Sequence, residues 1–167
     1  MTWNLTRGRT RRRCLGAAVI LATSVFLTGA RAQSRSATLR AIHSLENPSD
    51  RTEPGPGGEL GPYQFCATTW RQCSLQPFSS ALDPEASEVV AIRYYEWLKG
   101  QIERHGMPAS TYNIALAWNG GLRAVLGGHP TRSARDYAQR AANLAADYDR
   151  IGAVQAVAPS AAPSTLR

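Results

Sequence analysis

An all-α fold is predicted for this chain by three features of its sequence. Apolar residues recur at helical spacing through most of residues 33 to 151, and no run of alternating β-branched residues is long enough to build a sheet. Helix start and stop signals, such as Asp83-Pro84-Glu85 and Asn119-Gly120-Gly121, punctuate the pattern. In the first expected helix, SATLRAIHSLEN, Leu39, Ile42 and Glu46 fall at i, i+3 and i+7 on one stripe, and Asn47-Pro48 end it. A loop rich in glycine and proline, PSDRTEPGPGGEL, follows. A second helix, PYQFCATTWRQC, is expected to open at Pro62, whose missing N–H costs nothing in a first turn. The third runs from Asp83-Pro84-Glu85 to about His105 and reads as the longest. Glu85, Glu88, Glu96, Lys99 and Glu103 gather in one arc of it, while Ala86, Val90, Tyr94, Trp97, Leu98 and Ile102 cover most of the rest. So wide an apolar face belongs to a central helix. A short helix, ASTYNIALAW, leads into Asn119 and is ended by the two glycines. The last carries Tyr137, Ala141, Leu144, Tyr148 and Ile151 on one stripe. From Gly152 onward, Ala, Pro and Ser without periodicity predict a disordered tail, 152 to 167.

The charge is concentrated at the start of the chain. The whole sequence holds 19 Lys plus Arg against 12 acids, a balance that by itself points to nucleic acid or a membrane. Residues 1 to 32, however, contain Arg7, Arg9, Arg11, Arg12, Arg13 and Arg31 with no acid, then the apolar run CLGAAVILATSVFLTGA and a small-x-small sequence at Ala30-Arg31-Ala32. This pattern predicts a secretory signal peptide and export to the periplasm or beyond the cell, an uncleaved anchor being the alternative. Without it 13 basic and 12 acidic residues remain. A nucleic-acid partner is therefore not expected, and contact with a membrane is expected only through the signal peptide before cleavage. The mature chain suits one small domain, 33 to 151, and a monomer.

Two cysteines remain in that domain, Cys66 and Cys73. An oxidising compartment permits a disulfide, but seven residues along one continuous helix separate Cα atoms by about 10 Å, beyond the reach of a bridge. Bridging requires the helix to end before Cys73. His43, His105 and His129 are scattered and no Cys-x-x-Cys occurs, so neither a metal nor a cofactor is expected.

Glu46 is the leading functional candidate. It shares the apolar stripe of its helix and sits in the last turn, so burial and the negative end of the helix dipole both favour its protonated form. A carboxyl so placed can act as a general acid near neutral pH; a carboxylate satisfied by an arginine is the structural alternative. Glu53 and Glu59 stand on the glycine-rich loop that must pass near it, where solvated loop charges are the ordinary case. Gln64 and Asn119 can each donate and accept hydrogen bonds, as recognition of N-acetyl and hydroxyl groups demands. Tyr63, Trp70, Trp118 and Tyr112 could stack on sugar rings, but most of them are expected to fill the core, with Tyr63 and Trp118 the best cleft candidates because they flank the two motifs.

These residues, in this order, resemble the lysozyme-like superfamily and most closely the soluble lytic transglycosylase type domain. In that family a Glu-Ser pair is followed by a loop, G-x-x-G-L-M-Q and then A-Y-N-A-G. Glu46 falls on the catalytic acid, Gly58 and Gly61 on the loop glycines, Gln64 on the glutamine and Asn119-Gly120-Gly121 on the Asn-Ala-Gly element. Tyr137 resembles the tyrosine beside the acid. The resemblance covers about residues 36 to 150. Pro62-Tyr63 depart from Leu-Met, Trp118 from tyrosine, and Ser133-Ala134 from Glu-Thr. Gly61-Pro62-Tyr63-Gln64, Trp70 and Cys73 also resemble the G-P-Y-Q…W-x-x-C run of invertebrate-type lysozymes.

The resemblance implies a lysozyme-like helical domain with a glycine-rich active-site loop that cuts the glycan strands of peptidoglycan. In a lytic transglycosylase Glu46 would protonate the leaving oxygen and then act as base on the sugar's own C6 hydroxyl, yielding a 1,6-anhydro end without a second carboxylate. A hydrolytic lysozyme, which delivers water, and a silent glycan-binding envelope protein are the alternatives.

Overall fold

The computed structural model describes residues 34 to 157; the expected signal peptide and residues 158 to 167 lie outside the described residues. The architecture is all-α: α1 (Arg35–Glu46), α2 (Ala67–Cys73), a 3₁₀ turn (Phe78–Leu82), α3 (Pro84–Arg104), α4 (Thr111–Gly120), α5 (Leu122–Leu126) and α6 (Arg132–Val157). Among the described residues the one extended pairing is an isolated bridge between Leu60 and Phe65.

Capping explains where the helices start. The Ser34, Asp83 and Ser110 side chains accept from the backbone N–H groups of Ala37, Ala86 and Asn113, satisfying donors that an open first turn would leave bare. Pro84 occupies the first turn of α3. Gly121, at φ +83°, closes α4 in a conformation that favours glycine.

The core forms where α3, α4 and α6 meet α1. Leu39 and Ile42 of α1, Val90, Leu98 and Ile102 of α3, and Ile114 of α4 are fully enclosed, with Phe65 and Trp70 beneath them. Small residues let α6 lie close: Ala37, Ala41 and Ala145 form a cluster between α1 and α6, and a β-carbon on Gly120 would meet that of Ala134 at 2.8 Å. Polar ties hold α1 in place as well. Thr38 and Thr111 share a buried hydroxyl hydrogen bond of 2.6 Å, and the Ser34 hydroxyl donates to Asp149 at 2.6 Å. These contacts fix the axis of α1, and with it the direction in which its last residue, Glu46, points.

The structure differs from the sequence expectation in three places. Residues 62 to 65 form a turn and not a helix, so α2 starts only at Ala67. Gly61 at φ +77° and Gln64 at φ +45° both hold left-handed backbone, and a helix cannot pass through it. The last helix continues through residues 152 to 157, which were expected to be disordered, and so exceeds α3 in length. Once nucleated, a helix adds residues without needing core contacts, and Val154 on this extension is accordingly exposed; so is Ile151 just before it, which was expected on the buried stripe. Trp97, expected on the buried face of α3, is 44% exposed and stacks on Tyr94 instead.

Candidate active site

The last turn of α1 delivers Glu46 to the floor of an open cleft of about 980 Å³. One wall is the loop, with Arg51, Glu53, Gly55 and Glu59. The opposite wall is the end of α4, with Trp118 and Asn119, and the base is Gln64, Phe65, Tyr94 and the start of α2. Segments far apart in sequence thus converge on one carboxyl group.

Glu46 is partly buried, and burial pushes its pKa above the ordinary carboxylate range. The Tyr137 hydroxyl, donating to Oε1 at 2.7 Å, pulls in the opposite direction, while the nearby charge of Glu59 adds to the rise. Among the described residues no arginine or lysine forms a salt bridge with Glu46, whose carboxyl is met instead by the Tyr137 hydroxyl. Burial and the adjoining Glu46 charge in turn raise Tyr137, which stays a neutral donor. Tyr137 is 6% exposed and does not line the cleft. Its expected place among the substrate-binding residues is therefore corrected: it lies behind Glu46, because its position on α6 faces the core stripe, and it orients the carboxyl.

The loop is held by its own polar groups. Asn47, 2% exposed, caps α1 and clamps the loop at two points: Oδ1 accepts from the Arg51 N–H at 2.9 Å, and Nδ2 donates to the Arg51 carbonyl at 2.8 Å and to the Gly61 carbonyl at 3.4 Å. The Glu59 carboxylate accepts from the Gly57 N–H at 2.9 Å. Bare Cα atoms at Gly55 and Gly57 leave the space that the Glu59 carboxylate occupies. Gln64 Nε2 donates to the Gly61 carbonyl at 2.9 Å, which steadies its left-handed backbone and turns its Oε1 toward Gly55.

Glu46, Glu53, Glu59, Gln64, Trp118 and Asn119 therefore meet in one cleft, as the sequence led us to expect. One further expectation is overturned. Tyr63 is no sugar platform: it is 4% exposed, packed against His43, Phe65 and Trp118, and its hydroxyl donates to Glu88. The turn that replaces the expected helical start points its ring inward. Cys66 and Cys73 are free thiols, because α2 runs unbroken from just after one to the other and holds them apart. Cys66 faces the cleft. Partial burial raises its thiol, but hydrogen bonds from Thr68 and Thr69 outweigh this and bring it below its ordinary range.

Three contributors escaped the sequence reading. Tyr94 looked like any other apolar position of α3, Arg51 like a loop charge, and Asn47 like a helix stop. Only Asn47 carried a usable signal, since an asparagine before proline at a helix end commonly bonds the backbone beyond it. No family model, curated protein or solved structure matches the chain.

Removing the Tyr137 hydroxyl tests its role as a positioning residue. Tyr137→Phe deletes the interaction that lowers Glu46, so the carboxyl should titrate higher still. Glu46 acting as an acid must be protonated, so the alkaline limb of the pH–rate profile should move to higher pH, with the maximal rate reduced by about tenfold. A profile unchanged in shape would assign Tyr137 to packing alone.

Proposed function

We propose that this chain is an exported enzyme that cleaves the MurNAc–GlcNAc bond of peptidoglycan by lytic transglycosylation, within a lysozyme-like fold. The observation that carries this reading is the 2.7 Å hydrogen bond from Tyr137 to a partly buried Glu46 whose raised pKa keeps a proton available at an open polar cleft. Fission of a glycosidic bond needs a proton on the leaving oxygen and stabilisation of an oxocarbenium-like centre. Glu46 supplies the proton. The N-acetyl group of the substrate stabilises the centre from within, and the Glu46 carboxylate then removes the C6 hydroxyl proton as that oxygen closes on C1. Gln64 and Asn119 offer amides to the N-acetyl and hydroxyl groups, and the half-buried Trp118 offers an indole face to a ring. A silent glycan-binding protein has no need of a protonated carboxyl backed by a buried donor.

Mass spectrometry of digested peptidoglycan tests the reaction. Transglycosylation gives 1,6-anhydro ends, one water lighter than the reducing ends of hydrolysis, and absence of both would defeat the enzymatic reading.

One observation favours hydrolysis as a second reading. Glu59 lines the same cleft and interacts electrostatically with Glu46, as a second carboxylate would. Glu59→Gln distinguishes the two. Under transglycosylation the anhydro product should stay dominant and the rate should fall by no more than about fivefold, since a substrate-assisted route needs no second acid. A loss as severe as that of Glu46→Gln, with reducing-end products in the wild type, would establish the lysozyme route. Glu53→Gln should follow the same pattern with a smaller effect.

A further inference from the structure

We infer that Arg51 is an anion-binding residue of the cleft, which reads a carboxylate on the bound glycan and sets its register against Glu46. The inference rests on the glycan-cleaving reading above and adds to it the residue that would tell carboxylate-bearing strands from neutral polymers of N-acetylglucosamine.

The first observation is one of charge. Among the cleft-lining residues Arg51 is the single cation beside three carboxylates, Glu46, Glu53 and Glu59. Its guanidinium makes no hydrogen bond or ion pair with any of them, nor with any other described residue. A guanidinium has five donors in a planar fork that matches a carboxylate, and no described residue engages any of the five.

The second observation is one of geometry. Both backbone polar groups of Arg51 are held by the buried Asn47 amide, at 2.9 and 2.8 Å. Asn47 directly follows Glu46. The backbone that carries Arg51 is therefore tied to the end of α1 that carries Glu46, and both side chains line the same cleft. Asp50, at φ +48° and bonded to His43 at 2.7 Å, braces the residue before Arg51 against α1.

Repulsion supplies the chemical reason for such an arrangement. The Glu53 and Glu59 carboxylates, joined by Glu46 whenever it is ionised, would oppose an acidic strand entering the cleft, and the Arg51 cation both offsets this and favours one alignment of the strand. The glycan presents carboxylates from two sources: the lactyl group of muramic acid when the peptide is absent, and the peptide's own acids when it is present.

The test measures equilibrium binding by calorimetry in the full chain carrying Glu46→Gln, so that ligands survive. The ligands are peptide-free glycan strands, strands with intact peptides, and neutral N-acetylglucosamine oligomers. Adding Arg51→Ala should weaken binding of a carboxylate-bearing strand by about tenfold and leave the neutral oligomers within about twofold, with Arg51→Lys intermediate. The loss should shrink as salt rises. Loss confined to peptide-free strands assigns the lactyl carboxylate, and loss confined to intact strands assigns the peptide. Equal changes for all three ligands, or none, overturn the inference alone. Failure of the Glu46→Gln chain to bind any of them overturns the glycan-cleaving reading and this inference with it.

Discussion

Glu46→Gln should lower the rate of sugar release by at least about a hundredfold, the lower end of what a general acid contributes. Glutamine keeps the shape of the side chain and can still accept from the Tyr137 hydroxyl, but it has no proton to give and cannot serve as the base in the second half of the reaction. The variant should fold as well as the parent. Burial raises the Glu46 pKa above its unfolded value, so the native state holds this proton more tightly than the unfolded chain. Its ionisation therefore costs stability as pH rises through and above the ordinary carboxylate range, and a neutral amide removes that cost. Thermal unfolding at neutral pH should accordingly show a midpoint equal to or above that of the parent. Near-parental turnover in the variant would eliminate Glu46 as the acid, and a lowered midpoint would contradict the electrostatic account of its burial.

Gly61→Ala is expected to have the largest effect on stability of any small substitution in the loop, about 3 kcal/mol. Two costs add there. Gly61 holds φ +77°, which an L-residue adopts only at a penalty, and its new β-carbon would collide with the carbonyl oxygen of Ala81, a backbone atom that has no rotamer by which to move aside. Gly106→Ala is the natural control, since φ there is +73° and the surrounding space is open. It should cost about 1 kcal/mol, the conformational penalty alone. Urea unfolding of both variants isolates the collision, and equal midpoints would remove it from the account. The catalytic consequence follows from the same residue, because the Gly61 carbonyl receives both Gln64 Nε2 and Asn47 Nδ2. Displacing it moves the cleft base and the loop anchor together, so activity should fall further than the unfolded fraction explains.

Glu46, Gln64, Trp118 and Asn119 were legible because each is tied to a local pattern: the end of an amphipathic helix, a glycine turn, and a glycine-terminated helix. Tyr137 was legible from periodicity only as part of the buried stripe of α6; its place beside Glu46 was expected from the family resemblance alone, and its expected place among the substrate-binding residues was not borne out. Tyr63 misled for the opposite reason. Its position beside Gln64 placed it near the cleft, but whether a ring in a turn faces solvent or core depends on backbone torsions at Gly61 and Gln64 that no periodicity encodes.

The sequence by itself determined the helical class, the principal helices with their caps, and the identity of the buried carboxyl, because these depend on the spacing of residues within a turn or two of one another. Only the tertiary structure decided which carboxylates and amides share a cleft, that the two thiols stay free, and that Asn47 joins Glu46 to Arg51. Those outcomes depend on how close α1, α4 and α6 can pack, on the alanines and Gly120 at their crossings, and on the path of a loop held by side-chain hydrogen bonds. Such bonds join groups that a linear pattern leaves unrelated, and they form only once burial has removed the water that would otherwise satisfy them.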